Sequence, residues 1–268
     1  MKKIGKLIFY INLYFKVIFQ DIKSKMSYRL DFFISIGGML LLNFTELFSF
    51  WVVFTRFPSI SGWTYHQIMF LYGFSLIALS TNQCFFENNW NLNTYLITGD
   101  FIKYCFRPVN TYFLFISEMF DVKGIGQACF GWVLLIYAWI NLKLEFNITK
   151  VVLLLILLFS ASLFVISTMN VAAGLNFRIM GSSYIMLFVH KFWEYVKYPI
   201  SIYNLFFKVI FSILIPIGFV AYYPSLVLLD ITNKVYVIII APILGILYFI
   251  LSYMYWIRGA KKYSGTGS

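Results

Sequence analysis

The sequence predicts an all-α integral membrane protein with six transmembrane helices, and three observations lead to this class. Of the 268 residues, 61% are hydrophobic and only 12% are charged, whereas soluble domains are about 45–50% apolar and about 25% charged. The apolar residues lie in long runs, and about 20 such residues in a helix cross the hydrocarbon core of a bilayer. Lysine and arginine lie mainly between those runs. A soluble fold of this length could not bury so many aliphatic and aromatic side chains.

Residues 1–28 are predicted to form an amphipathic helix that lies along the membrane surface. Lys6, Lys16 and Lys23 lie roughly opposite an apolar face. The members of that face recur at helical spacing: Ile4, Leu7, Ile8, Ile11, Phe15, Ile18 and Ile22. A charged helix with this pattern is typical of the membrane interface rather than of a crossing. The alternative is a poorly inserted first span.

Six apolar runs follow, and the whole chain, residues 1–268, is predicted to be a single transmembrane domain. The spans are placed near residues 30–54, 68–86, 124–142, 151–174, 205–223 and 235–257. The third apolar run begins earlier, but Glu118, Asp121 and Lys123 interrupt its first half. We therefore expect the third crossing to start at Gly124, after a helix that enters the membrane obliquely.

The distribution of positive charge predicts the orientation. With the N-terminus inside, 17 lysines and arginines lie in cytoplasmic segments and four lie in outer connections, in agreement with the positive-inside rule. Besides the seven N-terminal cations, the cytoplasmic set is Lys103, Arg107, Lys123, Arg178, Lys191, Lys197, Lys208, Arg258, Lys261 and Lys262. The protein is therefore expected in the plasma membrane, with both termini in the cytoplasm.

The net charge of +11 does not indicate nucleic-acid binding. Seven of the cations fall within the first 29 residues, and no basic stripe with interleaved aromatic residues follows them. Positive charge in that position is typical of topology signals and of attraction to anionic lipids. The lipid bilayer is therefore an expected partner, and nucleic acid is not.

The connection between the second and third spans, residues 87–111, carries the densest local signals. Leu92, Tyr95 and Leu96 stand at i, i+3 and i+4, which predicts one apolar face of a short helix. Gly99 can adopt the left-handed conformation that ends such a helix. We refer to these residues as the 87–111 connection.

A second helical turn is predicted after this glycine. Asp100 is placed to cap it, because its carboxylate can accept from the backbone N–H of Ile102 or Lys103. The apolar face of the turn is expected to be Phe101, Ile102, Cys105 and Phe106, with Lys103 and Arg107 pointing away toward the cytoplasm. Pro108 stops the helix, because it pushes the preceding residue out of the helical region. The pattern fits an ordinary amphipathic connector without a partner equally well.

Ionisable residues within or beside the spans are candidates for function. Glu46 lies deep in the first span, where a carboxylate costs about 2.5–3.5 kcal/mol on insertion scales. Three roles are open to it: lining a translocation path, pairing with a neighbouring helix, or lying neutral in a protein interface. The stretch HKFWEYVK, His190–Lys197, is predicted to be a cytoplasmic interfacial helix with its aromatic residues at headgroup depth.

No motif predicts catalysis by this chain. The phosphate-binding pattern GxxxxGK[ST] does not occur. His66 and His190 lie far apart in sequence, and Cys84, Cys105 and Cys129 form no CxxC pair, so neither a metal site nor a disulfide framework is predicted. No cluster of nucleophile, base and acid can be assembled from the sequence. We predict that the chain is not an enzyme, holds no cofactor of its own and depends on another chain for energy.

Four stretches of the sequence together resemble one known family. ITGDFIKYCFRPVN (Ile97–Asn110) is similar to a pattern of a glycine, an acidic or polar residue, an apolar–basic turn and Arg-Pro. SYRLDFFIS (Ser27–Ser35) resembles the start of that family's first span, and FDVKGIGQACFG (Phe120–Gly131) the start of its third crossing. YSGTGS (Tyr263–Ser268) resembles its C-terminal tail. The order and spacing of these stretches resemble the small six-span permeases of ABC-2 exporters.

This resemblance implies a permease subunit of an ATP-driven ABC exporter. Such a permease pairs with a second permease, identical or related, and with two cytoplasmic ATPase subunits that carry ATP and Mg²⁺. In that family the connection between the second and third spans is the coupling helix that docks on the ATPase. The resemblance therefore assigns ATPase coupling to Leu92, Tyr95, Leu96, Gly99, Asp100, Phe101, Lys103, Arg107 and Pro108. Glu46 becomes a candidate residue of the translocation path, and a bacterial plasma membrane is the expected location.

This chain differs from the family pattern in some residues, and functions other than an exporter permease also remain compatible with the sequence. Members often carry Leu-Asp and then Leu-Leu before Arg-Pro, where this chain has FIKYCF, so the surface toward a partner is expected to be specialised. Pro216 and Pro224 fit a re-entrant outer segment after a short fifth span. The alternatives are an ATPase-independent scaffold or sensor that binds another cytoplasmic protein through the same connection, and a proton-driven transporter that uses Glu46. The transported substrate is not predicted.

Overall fold

The protein is built from helices, as the sequence predicts. The computed structural model describes residues 2–27, 29–179, 181–232 and 236–263. Its α-helices are α1 (Lys2–Met26), α2 (Arg29–Arg56), α3 (Tyr65–Phe85), α4 (Leu92–Thr98), α5 (Ile102–Cys105), α6 (Thr111–Ser117), α7 (Lys123–Asn141), α8 (Ile148–Gly174), α9 (Ser183–Trp193), α10 (Leu205–Val209), α11 (Tyr223–Leu228) and α12 (Tyr236–Lys262). The described ranges contain no β-strand, and the predicted all-α class is confirmed.

Some sequence predictions fall outside what the structure describes. These are the tail at residues 264–268, the outer cation Lys234, and the side chains of Lys2, Lys3, Ile4, Lys6, Leu7 and Arg29.

Among the residues that the structure describes, five helices are long and apolar enough to cross a membrane, so the chain is a multi-pass membrane protein. They are Phe33–Arg56 within α2, the whole of α3, the whole of α7, Ile148–Phe177 beginning with α8, and the whole of α12. They overlap the predicted spans at 30–54, 68–86, 124–142, 151–174 and 235–257. The break between α6 and α7 contains Glu118 and Asp121, two of the charges that interrupt the third apolar run.

The predicted fifth span differs from the structure in its shape. In place of one straight crossing at 205–223, the segments Leu205–Ile213 and Gly218–Leu228 meet at an angle of 76°. Pro216 explains the break, because proline lacks an N–H and disfavours the helical conformation of the residue before it. Ile215 accordingly has extended dihedral angles, φ −121° and ψ 97°. If this bent pair is counted as one span, the bundle has six.

The core of the bundle is the contact between α3 and α7, where two glycines let the backbones meet. A Cβ atom on Gly73 would lie 2.8 Å from the carbonyl oxygen of Gly131 and 2.8 Å from the backbone nitrogen of Leu135. A Cβ atom on Gly131 would lie 2.9 Å from the carbonyl oxygen of Gly73. Small residues permit this close approach of helices in membranes, where packing rather than the hydrophobic effect drives association. The consequence is a rigid centre with no room for a side chain.

The N-terminal helix α1 is fastened to the chain around α6. The Asp21 carboxylate accepts from the backbone N–H of Phe120 at 2.9 Å, and the Lys25 ammonium donates to the Phe120 carbonyl at 2.6 Å. Asp21 and Lys25 also form an ion pair with each other at 2.7 Å. Nearer its N-terminus, the Tyr10 hydroxyl accepts from the backbone N–H of Asn110 at 3.3 Å. Helix α1 thus contacts the chain on both sides of α6, at Asn110 before it and at Phe120 after it.

Candidate functional site

The 87–111 connection folds as two short helices around a left-handed glycine. Helix α4 ends at Gly99, whose φ of 81° lies in the region that favours glycine. The backbone N–H of Phe101 then donates across the turn to the Tyr95 carbonyl at 3.1 Å. Two helices with a glycine between them are therefore present where the local signals predict them.

The predicted capping role of Asp100 is wrong. Its carboxylate accepts from the Thr98 hydroxyl at 2.7 Å. The backbone N–H groups of Ile102 and Lys103 instead donate to the carbonyls of Gly99 and Asp100, each at 3.2 Å. Because the turn itself satisfies these donors, they do not need a side-chain cap.

The predicted apolar face of the second turn is also wrong. Phe101 is fully buried, but its buried neighbour in α5 is Tyr104 rather than Ile102, Cys105 or Phe106. The Phe101 ring lies 5.2 Å from the Phe177 ring and 5.9 Å from the Trp256 ring, centroid to centroid. These rings come from the end of the fourth span and from α12, and they decide which side of α5 is buried.

Three apolar side chains of the connection point outward as a result. Phe106 is 81% exposed, Ile97 is 54% exposed and Ile102 is 44% exposed. Ile102 and Phe106 are four residues apart, so they share one side of the chain. We refer to these three side chains as the apolar tip.

The two basic residues of the connection differ in their surroundings. The Lys103 ammonium lies 2.9 Å from a carboxylate oxygen of Glu118 and above the rings of Tyr95 and Tyr104, at 4.7 Å and 4.8 Å from their centroids. Arg107 is exposed, and so is Pro108 beside it. Lys103 therefore stabilises the connection internally, while Arg107 remains at its surface.

Asparagine side chains tie the connection to the spans. The Asn89 amide donates to the Asn170 side-chain oxygen at 2.8 Å, and the Asn170 amide donates to the Tyr112 hydroxyl at 2.6 Å. Asn93 donates to the Ser183 hydroxyl at 2.6 Å, at the first residue of α9. Buried side-chain hydrogen bonds in an apolar interior favour one arrangement of the helices. A displacement of the connection is thus passed to α8, α6 and α9.

Glu46 pairs with a lysine from beyond α9. Its carboxylate lies 2.6 Å from the Lys197 ammonium, and the two side chains are 41% and 15% exposed respectively. Of the three roles left open by the sequence, pairing with a neighbouring element is observed. Glu46 lies ten residues before the end of α2, or about 15 Å along the helix axis.

The predicted interfacial helix His190–Lys197 is wrong in its bounds and its position. Helix α9 ends at Trp193, and the residues after it turn along α2. The Tyr198 ring lies 5.6 Å from the Phe50 ring, beyond Glu46 in α2. Lys197 is therefore not a free cation at the end of the bundle that carries the 87–111 connection. The pattern of charge and aromatic residues could not show this, because the carboxylate partner lies 151 residues away in sequence.

A cavity of about 530 Å³ lies between α2, α3 and α9, next to this ion pair. Its polar lining includes Asn43, Glu46, Tyr72, Asn82, Glu87, Gln127, His190, Glu194 and Lys197. Its apolar and aromatic lining includes Leu76, Leu79, Trp90, Val165 and Trp193. Volumes of this size accommodate drug-sized ligands.

The sequence match that decides the family covers most of these features. The family model described as ABC-2 family transporter protein matches residues 40–267. The chain belongs to the ABC-2 transporter family. This match includes the 87–111 connection, Glu46 and all of the cavity lining except Met39, and it confirms the resemblance seen in the sequence. No curated protein and no solved structure matches the chain.

Several residues at the centre of this ABC-2 family protein were not predicted. They are Tyr104 and Lys197, the amides Asn89 and Asn170, and the cavity residues Asn43, Asn82 and Glu87. The stretch ENNWNLN from Glu87 to Asn93 carried a usable signal, since four asparagines in so apolar a chain need hydrogen-bond partners. Among the residues that the structure describes, no cluster of His, Cys, Asp or Glu could hold a metal ion.

Glu87 predicts a pH dependence of stability. Burial, together with nearby Asp121, raises the pKa of this carboxyl from 4.5 to about 7, against the opposite effect of Lys123 and Lys25. Between those pH values the folded protein holds a proton that the unfolded chain has lost, so stability falls as the pH rises from about 4.5 to about 7. Thermal unfolding of the purified protein in detergent should show a melting temperature that decreases over this interval.

The control for this prediction is Glu87→Gln. Glutamine keeps the shape of the side chain but cannot lose a proton, so the decrease in melting temperature should become shallower than in the parent protein. A variant with an unchanged slope would assign the pH dependence to other groups.

Proposed function

We propose that this ABC-2 family protein is the permease subunit of an ATP-driven exporter, with the 87–111 connection docking on a separate ATPase subunit. Membership of the family implies a partnership with ABC ATPases in general. Within this chain, the observation that carries the proposal is the apolar tip. A phenylalanine that is 81% exposed, on a connection outside the spans, is costly in water unless another protein covers it.

The 87–111 connection has one side that is buried in the bundle and one side that is exposed. Its buried side, with Leu92, Leu96 and Phe101, belongs to the core of the bundle. Its outward side is the apolar tip. Because the buried side is rigid, a force applied to the tip would move the helices and not merely bend a loop. The hydrogen bonds from Asn89 and Asn93 give that force two routes, to α8 through Asn170 and to α9 through Ser183.

We further propose that two permeases meet along α2. Most of the large apolar side chains of this helix are exposed, among them Leu41, Leu42, Phe48 and Trp51. Glu46, half-exposed on the same helix, would be shielded from lipid by a second permease. The translocation path would then lie beside the cavity and the Glu46–Lys197 pair. In this arrangement ATP and Mg²⁺ bind to the partner ATPases, and both termini of the permease lie in the cytoplasm of a bacterium.

The test is the association of the permease with an ABC ATPase subunit that is produced together with it in the same cells. Phe106→Asp places a charge at the centre of the proposed contact, and we expect at least about a tenfold loss of co-purified ATPase, since a central aromatic residue of an interface typically contributes about 2 kcal/mol or more. The amount of ATPase per permease after purification in mild detergent measures this.

The matched control is Phe146→Asp. Phe146 is 86% exposed, but it lies between α7 and α8, at the opposite end of the bundle from the 87–111 connection. This variant should retain its ATPase. Equal retention by both variants would refute docking through the apolar tip. Co-purification of a different cytoplasmic protein, lost in Phe106→Asp only, would favour the scaffold alternative.

A further inference from the structure

The cavity between α2, α3 and α9 has an unusual charge for this protein. The chain as a whole carries a net charge of +11, with ten acidic residues. Three of these ten, Glu46, Glu87 and Glu194, line the cavity, where Lys197 is the single lysine or arginine of the lining. The cavity is therefore an acidic site in a basic protein.

Two of the three carboxylates are already paired. Glu46 pairs with Lys197 at 2.6 Å, and Glu194 pairs with Lys191 at 2.6 Å. Glu87 has no ion pair at 4.0 Å or less with any residue that the structure describes. It is the carboxylate that remains available to a cation in the cavity.

Buried polar atoms in the same lining also lack partners. The side-chain oxygen of Asn82, the side-chain nitrogen of Asn43 and the indole nitrogen of Trp193 make no hydrogen bond within the described part of the chain. Each of these side chains is more than nine-tenths buried. A buried donor or acceptor without a partner loses its hydrogen bonds to water without replacement, so such groups normally have a partner. These three atoms have almost no accessible surface, so they lie within the wall of the cavity rather than at its open space.

The remaining lining fits an apolar body. Leu76, Leu79 and Val165 provide aliphatic surface, and Trp90 and Trp193 provide aromatic rings. Aromatic faces attract cations as well as apolar groups. The combination of a free carboxylate, indole rings and aliphatic surface selects for charge and hydrophobicity together.

We propose that this cavity binds an amphipathic organic cation. The cationic nitrogen lies at Glu87, the carboxylate of the lining that has no ion pair among the described residues. The apolar part of the ligand packs on Leu76 and Leu79. As the substrate site of an exporter this assignment rests on the proposed function, but binding itself requires no ATPase.

The experiment measures binding of two dyes to the purified full chain in nanodiscs of phosphatidylcholine. Rhodamine 6G is an amphipathic cation that carries N–H groups and an ester carbonyl, and sulforhodamine B places a net negative charge on the same ring system. Fluorescence anisotropy should show saturable binding of rhodamine 6G, at least about tenfold tighter than that of sulforhodamine B. Equal affinities for the two dyes would overturn the proposal.

Two variants locate the site. Glu87→Gln should weaken binding of rhodamine 6G at least about fivefold, while Glu145→Gln, an exposed acid between α7 and α8, should leave it unchanged. Circular dichroism and size-exclusion chromatography show whether each variant is folded. Folded Glu87→Gln with unchanged affinity would contradict the assignment.

A measurement on the unmutated protein provides a second readout. Rhodamine 6G keeps its charge between pH 6 and pH 8, so a change in affinity reports on the protein. Glu87 loses its proton in this range, facing Asp121, Lys123 and Lys25 from the neighbouring elements, and binding should tighten as the pH rises. His190 also lines the cavity, so the rise must disappear in Glu87→Gln; its persistence there would overturn the role of Glu87.

Failure of this proposal can be told apart from failure of the proposed function. Phe106→Asp should bind rhodamine 6G like the parent protein, because the apolar tip is not part of the cavity. Cation binding without any associated ATPase would refute the exporter assignment alone. Association with the ATPase without selective cation binding would refute the ligand class alone.

Discussion

Replacing Gly73 with valine should abolish accumulation of the folded protein. A Cβ atom at this position meets backbone atoms of Gly131 and Leu135 at 2.8 Å, and neither can rotate away as a side chain would. The helices α3 and α7 would have to separate along the main packing contact of the bundle. Overpacking in a rigid core costs about 1–3 kcal/mol even where side chains can adjust, so a clash between backbones should cost more. Size-exclusion chromatography of the detergent-solubilised protein measures the outcome.

Gly38→Val is the matched control for this substitution. A Cβ atom on Gly38 has nothing within 4 Å, and this glycine also lies inside a spanning helix. Valine has a higher helix propensity than glycine, so neither substitution should fail because the helix itself is weakened. A monodisperse peak at parental yield for Gly73→Val would show that the close contact between α3 and α7 is not required.

Removing one partner of the Glu46–Lys197 pair should destabilise the protein more than removing both. In Glu46→Leu the Lys197 ammonium, 15% exposed, loses its counter-ion and remains in an apolar setting, which is the expensive case for an ion pair. In the double variant Glu46→Leu/Lys197→Met no charge is left to neutralise. The expected interaction energy of the double-mutant cycle is about 1–3 kcal/mol, at the upper end for contacting residues.

The cycle needs four melting curves: the parent protein, Glu46→Leu, Lys197→Met and the double variant. Lys197→Met should also destabilise the protein more than the double change, since it leaves the Glu46 carboxylate within a spanning helix without its counter-ion. Additive effects of the two single changes would mean that the pair contributes nothing to the fold.

Much of the architecture could be predicted because its signals are local. Long apolar runs determine α2, α3, α7, α8 and α12, since a helix in lipid must be apolar over its whole length. The left-handed turn at Gly99 follows from the special conformational freedom of one residue. The bend at Pro216 has an equally local cause, but its consequence, two half-helices in place of one span, depends on how they pack.

The contacts of the candidate site could not be predicted in full, because the residues that form them are distant from one another in sequence. Helix α5 has four residues, too few for periodicity to show which side is buried, and Phe177 and Trp256 decide it from elsewhere in the chain. Likewise, the sequence prediction counts Lys197 among the cytoplasmic cations, because no residue close to it in sequence indicates that this lysine pairs with a carboxylate inside the bundle. Glu46 and Lys197 meet because the residues that follow α9 lie against α2.

The division of labour within the 87–111 connection bears on how such a protein can diversify. Phe101 and Tyr104 hold the connection in the bundle, and Lys103 is neutralised by Glu118. Ile97, Ile102 and Phe106 contribute less to that internal packing, because each of these side chains is substantially exposed. If the apolar tip docks on a partner as proposed, mutations of these three side chains would alter the choice of partner while the fold is preserved. A duplicated copy of the gene could then acquire a new partner by a few substitutions on this surface.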